Sequence, residues 1–384
     1  MNTKILKQKI LAEMLTNDEW EKVKLGEVCE ITSSKRIFQN EYVSDGVSFY
    51  RTKEIVELNN NQNISTILFI SENRYNEIKN QFGVPQENDI LISAVGTIGI
   101  SWIVDKRKFY FKDGNLLWIR KINADSKFIK FFLDSIFCNN SFGHGGAYNA
   151  LTIEKLKQFT SPLPPLPLQK SIVAQIERLF AEIDRIETAR QNLLQAVKLA
   201  KRKTLQELLT NDEWKMMKLE EVCEVKMGQS PDGQSVSNDN SGIEFHQGKI
   251  CFTDKFLRKS DIYTSQPTKI ADANSLLLCV RAPVGVVNIT ERKICIGRGL
   301  SSITAKENID LMFVYYWLQT KEQYFNEKAT GTTFKAISGD IIKNSIIPIP
   351  HKDNKPDIGI QREIVKKIED LFAQLEIIEK TISK

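Results

Sequence analysis

Three histidines (His144, His246, His351) and six cysteines (Cys29, Cys138, Cys223, Cys251, Cys279, Cys295) are the residues of this 384-residue chain best suited to act as nucleophile, proton carrier or metal ligand. Their spacing gives none of them a partner. There is no CxxC pair and the histidines are scattered, which argues against structural zinc, a disulfide framework and a catalytic triad, and predicts buried free thiols. The run Phe142-Gly143-His144-Gly145-Gly146 is superficially like a cofactor loop, but it follows a stretch that reads as helix. Pro231-Asp232 and Pro356-Asp357 would suit a metal-dependent nuclease, yet neither is followed at a suitable distance by an acidic-x-Lys element. No P-loop is present to drive an ATP-dependent motor, and no Asn- or Asp-Pro-Pro-aromatic tetrapeptide to methylate a flipped adenine. What is left is the chemistry of recognition. Fifty-three Lys and Arg against 48 Asp and Glu leave a net charge of +5, which permits a polyanionic partner without requiring one.

The elements that must carry such side chains emerge from an internal repeat. LTNDEW at 15–20 recurs at 209–214, an offset of 194. The match extends through Lys24-Leu25-Gly26-Glu27-Val28-Cys29-Glu30 and Lys218-Leu219-Glu220-Glu221-Val222-Cys223-Glu224. QKSIVAQIERLFAEID from Gln169 recurs as QREIVKKIEDLFAQLE from Gln361, at an offset of 192. Mapped onto the continuous segment 169–209, the two chain ends meet almost without a gap, so the duplication is circular and its break falls inside a helix. If the terminal helices lie end to end, they rebuild a second copy of the central one.

That central helix has a heptad seam: Ile172, Ile176, Leu179, Ile183, Ile186, Arg190, Leu193, Val197, Ala200 and Thr204 alternate in steps of four and three. Ile364, Ile368, Leu371, Leu375, Ile378 and Ile382 keep the phase, and Leu6, Ile10 and Met14 continue it. Two in-phase copies point to an intramolecular antiparallel pair; the simpler alternative is that each helix packs on its neighbouring domain. A 41-residue helix would span about 60 Å, enough to act as a spacer. Proline-rich stretches, SPLPPLPLQ at 161–169 and IIPIP at 346–350, stand before each long helix and mark a structural boundary more than an SH3-type ligand.

The expected organisation is a helix over 1–15 completing the second coil, globular domains over 16–168 and 210–360, and coil helices over 169–209 and 361–384. The fold class is α+β: two mixed α/β domains joined by long helices in a circular pseudo-twofold repeat. Both domains share an order of apolar runs. Strands are expected in 89–104 with 116–122 and in 275–290 with 301–305, followed by helices over 127–138 and 310–325, a glycine-containing loop and a short helix. Gly96, Gly99 and Gly285 read as bulges or turns. Residues 33–88 and 227–274 scarcely align, which suggests one task performed twice on different targets. Composition agrees with a soluble, multidomain, cytoplasmic protein: 41% hydrophobic and 26% charged residues, mean hydropathy −0.28, no apolar run of membrane-spanning length, and helical periodicity where a signal peptide would be solidly apolar.

Two divergent domains alternating with two repeated coils, each coil opening after a P-L-P-P-L-x-x-Q type stretch, resemble the specificity subunit of type I restriction-modification systems over the whole chain. Val225-Lys226-Met227-Gly228-Gln229-Ser230-Pro231 is similar to that family's Gly-x-Ser-Pro opening of a recognition domain, and Gly331-Thr332-Thr333-Phe334-Lys335 to its Gly-Thr-Thr loop. The first domain departs from both, with Thr32-Ser33-Ser34-Lys35 and Gly145-Gly146-Ala147-Tyr148-Asn149. The resemblance implies a non-catalytic subunit that binds double-stranded DNA, reads a split target with one domain per half, and docks two methyltransferase subunits, with restriction/translocase subunits added for cleavage. It implies no cofactor on this chain; S-adenosylmethionine, ATP and Mg²⁺ would belong to the partners.

Base reading needs groove-reaching polar side chains on a rigid scaffold, with cationic phosphate contacts around them. The candidates are Lys35, Arg36, Arg51, Lys53, Thr97, Arg107, Lys108, Tyr148 and Asn149 in the first domain. In the second they are Gln229, Ser230, Lys249, Arg258, Arg281, Arg298, Thr332, Thr333 and Lys335. For each the competing reading is a solvated charge or a loop-capping hydroxyl. Two rival functions stay open at this point: a stand-alone nuclease or methyltransferase with an unrecognised site, and a coiled-coil adaptor indifferent to DNA.

Overall fold

The computed structural model describes residues 3–65, 67–137, 150–331 and 335–383. Contacts divide the chain into two compact units, Met1–Ala189 and Arg190–Lys384. The boundary falls inside one helix, Leu166–Leu208, whose 43 residues run about 65 Å. It starts a turn earlier than the sequence suggests because Pro167 falls in the first turn, where its missing N–H is no loss.

Each unit is built on the same plan. The first holds a four-stranded antiparallel sheet in the order Glu30–Thr32, Leu116–Arg120, Ile90–Ser93, Ser101–Ile103. The second repeats it as Cys223–Met227, Leu300–Ala305, Ser275–Cys279, Val287–Thr290. The apolar runs at 89–104 and 275–290 are thus hairpins, turned by Gly99 (φ +90°) and Gly285 (φ +92°). At both glycines a Cβ would run into the helix segment behind, at Phe137 and Glu322. A short ribbon closes each unit: Lys22–Lys24 pairs with Thr160–Pro162, and Lys215–Lys218 with Ile346–Ile349.

The regions that scarcely align in sequence also share a plan. In the first unit a second sheet runs Tyr42–Val43, Leu68–Ile70, Val47–Tyr50, Phe109–Phe111, with the last pair parallel. In the second unit the order is Val236–Ser237, Tyr263–Thr264, Ile243–His246, Ile294–Ile296, again with Ile243–His246 and Ile294–Ile296 parallel, plus an added strand Ile270–Ala271. The difference lies in what covers the sheets. Both second sheets open with a 3-10 turn, Gln39–Glu41 and Gly233–Ser235, but the first unit then carries helices Thr52–Asn59 and Glu72–Phe82 where the second has only the 3-10 turn Lys249–Cys251.

The long helices pack both on each other and on the globular cores. Lys7, on the helix Thr3–Met14, lies over the Phe180 ring and pairs with Asp184 at 2.6 Å. Lys201 repeats this against Phe372 and Glu379 on the helix Ile358–Ser383. The expected seam is only partly closed. Ile172, Ile176, Ile183, Val197, Ile364 and Ile368 are buried and Leu375 half-buried, whereas Leu179, Ile186, Leu193, Leu371 and Ile378 are exposed. On the N-terminal helix Leu11 is buried, as is Leu15 just beyond it, and the seam positions Leu6, Ile10 and Met14 are half-buried. For four of the buried seam residues the reason is geometric: one helix against another covers a single side, and a domain core adds a second wall, whereas Ile183 and Val197 are buried outside those cores. Ile172 and Ile176 meet that wall in the cluster of Phe128, Leu133 and Leu11, and Ile364 and Ile368 in the cluster of Phe313 and Trp317.

The glutamines that open both repeated helices have a structural role. Gln169 is buried; its Oε1 accepts the Asp125 N–H at 2.8 Å and its Nε2 donates to the Pro164 carbonyl at 2.7 Å. Gln361 does the same with the Asp310 N–H at 2.9 Å and the Asn308 carbonyl at 3.2 Å. Asp125 and Asp310 in turn cap the helices behind the main sheets through the N–H groups of Phe128 and Phe313. Removing either amide strands an inward-facing N–H. Gln169→Ala is expected to cost the first unit about 1–3 kcal/mol, and Gln361→Ala the second unit the same. Urea unfolding followed by hydrogen exchange should place each loss in its own unit, and a loss spread equally over both would contradict the assignment.

Candidate nucleic-acid interface

In the second unit four chain segments meet at the ends of the two sheets. Gly228 N–H donates to the Leu300 carbonyl at 2.9 Å, Gln229 N–H to Ile296 at 3.0 Å, Gly297 N–H to His246 at 2.8 Å, and Val280 N–H to Gly299 at 2.9 Å. Glycine allows this closeness. A Cβ on Gly228 would lie 2.2 Å from the Gly297 carbonyl, one on Gly297 2.4 Å from Gln247 Oε1, and one on Gly299 2.3 Å from the Gln247 carbonyl. Ser230 Oγ accepts the Arg298 N–H at 3.4 Å and donates to Gln247 Oε1 at 2.8 Å. Arg281 lies alongside, next to Val280 and bridged to Ala336, and the Lys335 carbonyl accepts the Ala282 N–H. The structure therefore gathers Gln229, Ser230, Arg281, Arg298 and Lys335 into one polar junction, with Lys249 two residues beyond Gln247. Among the described residues Lys249, Arg281, Arg298 and Lys335 are exposed and have no carboxylate partner. Arg258 sits apart, donating to the Ile250 carbonyl at 3.1 Å.

The first unit's candidates are arranged otherwise. At the matching junction, where Ala94 N–H donates to the Asn115 carbonyl at 2.8 Å, stand Lys35 and Arg36. Lys35 donates its N–H to Tyr110 Oη at 2.6 Å and lies over the Phe82 ring, while Arg36 pairs with Asp113 at 2.9 Å. Arg51 pairs at 2.6 Å with Glu54, which is fully buried; its N–H also caps that carboxylate at 2.7 Å. Lys53 faces Glu57, Arg107 is paired with Asp105, and Lys108 with Glu72. Thr97 is at the exposed tip of the hairpin loop, its carbonyl accepting from Ser93 Oγ. Tyr148, Asn149, Thr332 and Thr333 lie outside the described residues. Among the described residues the two sets differ electrostatically: every candidate cation of the first unit except Lys35 faces a carboxylate, whereas Lys249, Arg281, Arg298 and Lys335 of the second do not.

Gln247 is the residue the sequence reading missed. An amide beside a glycine at the end of a strand, facing a Gly-Arg-Gly run, is the signal that was there to find. Behind it the strand Ile243–His246 is anchored by a buried network. Arg292 grips Glu244 with two bonds of 2.6 Å, Ser260 N–H donates to the same carboxylate at 2.8 Å, and His246 Nε2 lies 2.7 Å from it. Burial alone would raise the Glu244 pKa. Arg292, the Ser260 N–H and His246 outweigh it and hold the carboxyl at about 2. Burial keeps the His246 pKa below its ordinary value. Five of the cysteines, Cys29, Cys223, Cys251, Cys279 and Cys295, are buried free thiols, as expected; Cys138 is outside the described residues.

Residues 17–196 and 211–384 each match the family model described as type I restriction modification DNA specificity domain. The chain belongs to that family. This specificity-family chain is 28% identical over 407 residues to a putative type I restriction enzyme MjaX specificity subunit of Methanocaldococcus jannaschii, covering 94% of this chain and 92% of the relative. It is 20% identical over 421 residues to the EcoBI specificity subunit of Escherichia coli, covering 99% and 85%. Its fold matches that of the HsdS subunit from Thermoanaerobacter tengcongensis (TM-score 0.60, 24% identity, 95% and 92% covered). It matches better a chain from work on complex assembly and conformational transition of the type I R-M system (TM-score 0.76, 24% identity, 96% and 93% covered). The family role is DNA recognition within a type I system, without catalysis or a cofactor on the specificity subunit itself. No helix among the described residues is long and apolar enough to cross a membrane.

The Glu244 network makes a testable demand of this specificity-family chain. A carboxylate whose folded pKa is depressed stabilises the fold above its unfolded pKa and loses that contribution as pH falls through the folded one. The second unit should therefore weaken between pH 4.5 and about 2. Glu244→Gln should cost about 3 kcal/mol at neutral pH, the lower end for breaking a buried pair because Arg292 keeps some solvent contact, and should flatten that acid limb. Unfolding free energies measured across this range check both; an unchanged acid limb in the variant would exclude Glu244 as its source.

Proposed function

We propose that this chain is the DNA-reading subunit of a cytoplasmic type I restriction-modification complex, that its two recognition domains, over 16–168 and 210–360, each read one half of a split, non-palindromic target, and that it docks two adenine-DNA methyltransferase subunits, with restriction/translocase subunits joining for cleavage. The observation that carries this reading is the repetition of one sheet framework, strand for strand, under two different coverings. A framework built twice and dressed differently suits two half-sites of unlike sequence, and two related helix surfaces suit two copies of one partner. S-adenosylmethionine, ATP and Mg²⁺ belong to those partners. In the second domain the unpaired cations Lys249, Arg281, Arg298 and Lys335 are the DNA contacts, with Gln229 and Ser230 beside them. In the first, Lys35 and Thr97 are the freer candidates, whereas Arg51 holds a buried carboxylate and serves the fold.

Methylation mapping of DNA treated with the full complex tests the reading: a bipartite, asymmetric site is expected, and a continuous or palindromic one would refute it. The same assay tests whether the central helix sets the gap. Inserting four residues near Arg190 adds about 6 Å and keeps the apolar stripe nearly in phase, so both half-sites should persist with the gap longer by about one or two base pairs. Two inserted residues turn the stripe to the opposite face and should abolish methylation. An unchanged gap in the four-residue variant would mean that the helix is not the spacer.

A further inference from the structure

Among the cations of the second unit that have no carboxylate partner among the described residues, Arg298 stands between two glycines and is held on a fixed backbone. Its neighbours Gly297 and Gly299 are buried, and each is tied to a different strand end: Gly297 N–H to the His246 carbonyl at 2.8 Å, and the Gly299 carbonyl to Val280 N–H at 2.9 Å. Its own N–H is taken by Ser230 Oγ. The backbone beneath it cannot shift without opening the junction, while the side chain is exposed and unpaired among the described residues. A guanidinium on a rigid platform, with no carboxylate to satisfy it, is what bidentate recognition requires.

Gln247 limits what is recognised. The Ser230 hydroxyl accepts from the Arg298 N–H and so turns its own proton to Gln247 Oε1, 2.8 Å away. That engages one lone pair of the amide oxygen and leaves Nε2 with no partner among the described residues. Arg298 adds donors only, so the pair is weighted towards donation. In the major groove guanine offers two acceptors on one edge, N7 and O6, whereas adenine sets a donor beside its acceptor and would place it against this array.

We propose that Arg298, oriented by the Gly297–Gly299 platform and flanked by the Gln247 amide, is the main base-reading side chain of the second unit and selects a guanine in its half-site. The inference rests on the proposed DNA-reading role. The test uses the specificity chain assembled with its own methyltransferase subunits and a DNA library carrying every single-base change within the mapped wild-type site. Arg298→Ala should lose about 10- to 100-fold of the preference for guanine at one position of one half-site, leaving the other positions as they were. Arg281→Ala, at a cation of the same junction outside the glycine platform, is expected to lower methylation on all sequences alike, as loss of a phosphate contact would. If the Arg298→Ala complex does not assemble, Arg298→Lys decides: it keeps the charge without the fork, so loss of preference at that single guanine supports the assignment and full retention overturns it. A uniform loss across sequences in Arg298→Ala, or a wild-type half-site lacking any required guanine, also overturns it. A wild-type complex that methylates with no sequence preference would instead remove the DNA-reading role on which the inference stands.

Discussion

Each long helix is fastened to its globular unit through one buried amide. Gln169 and Gln361 stand at the point where the chain leaves the sheet domain, and each satisfies the N–H of the aspartate that caps the helix behind the main sheet. An amide suits the task because it accepts and donates from the same plane: one end fixes the cap, the other the carbonyl of the approaching segment. The angle at which the helix departs is then set by hydrogen bonds that water cannot replace, and the apolar contacts of Ile172 and Ile176, or Ile364 and Ile368, follow from it. A glutamate would repel the capping aspartate, and an aliphatic residue would leave a polar group stranded.

On that base the main sheet acts as a constant frame and the second sheet as a variable one. The constant frame is held by long antiparallel pairings, such as Ser275–Cys279 against Leu300–Ala305, whose side chains are almost wholly buried. The variable frame uses strands of two to four residues and depends on its coverings for cohesion. In the first unit the helices Thr52–Asn59 and Glu72–Phe82 supply the covering, and in the second the Glu244–Arg292 network takes much of the load. Different means of holding the same strands leave the exposed chemistry free to differ.

The circular repeat, the long helices, the hairpins and the order of elements were legible in the sequence because each is a local pattern: a period, a run, or a copied word. The second sheet was not, because its strands are too short to show a period and their partners lie far along the chain, as Ser48 does from Phe109. The heptad seam was legible as a pattern but not as burial. Leu179 and Ile172 are equivalent on paper, and only the position of the Phe128 and Leu133 wall separates them. The candidate interface was half legible. Residue type marked Arg36 and Arg298 alike, yet whether a carboxylate stands opposite depends on folding, and Gln247 gains its meaning only from the hydroxyl and glycines that folding brings to it.

The unequal pairing of charge bears on how the two units would release a polyanion. A guanidinium already bound to a carboxylate, as Arg36 is to Asp113, carries little condensed counterion of its own, so contact with phosphate exchanges one ion pair for another. An unpaired arginine frees phosphate counterions with nothing to give up in return, and that gain shrinks steeply as salt concentration rises. On the assignment of DNA contacts proposed above, the second unit's share of the binding weakens faster as salt increases.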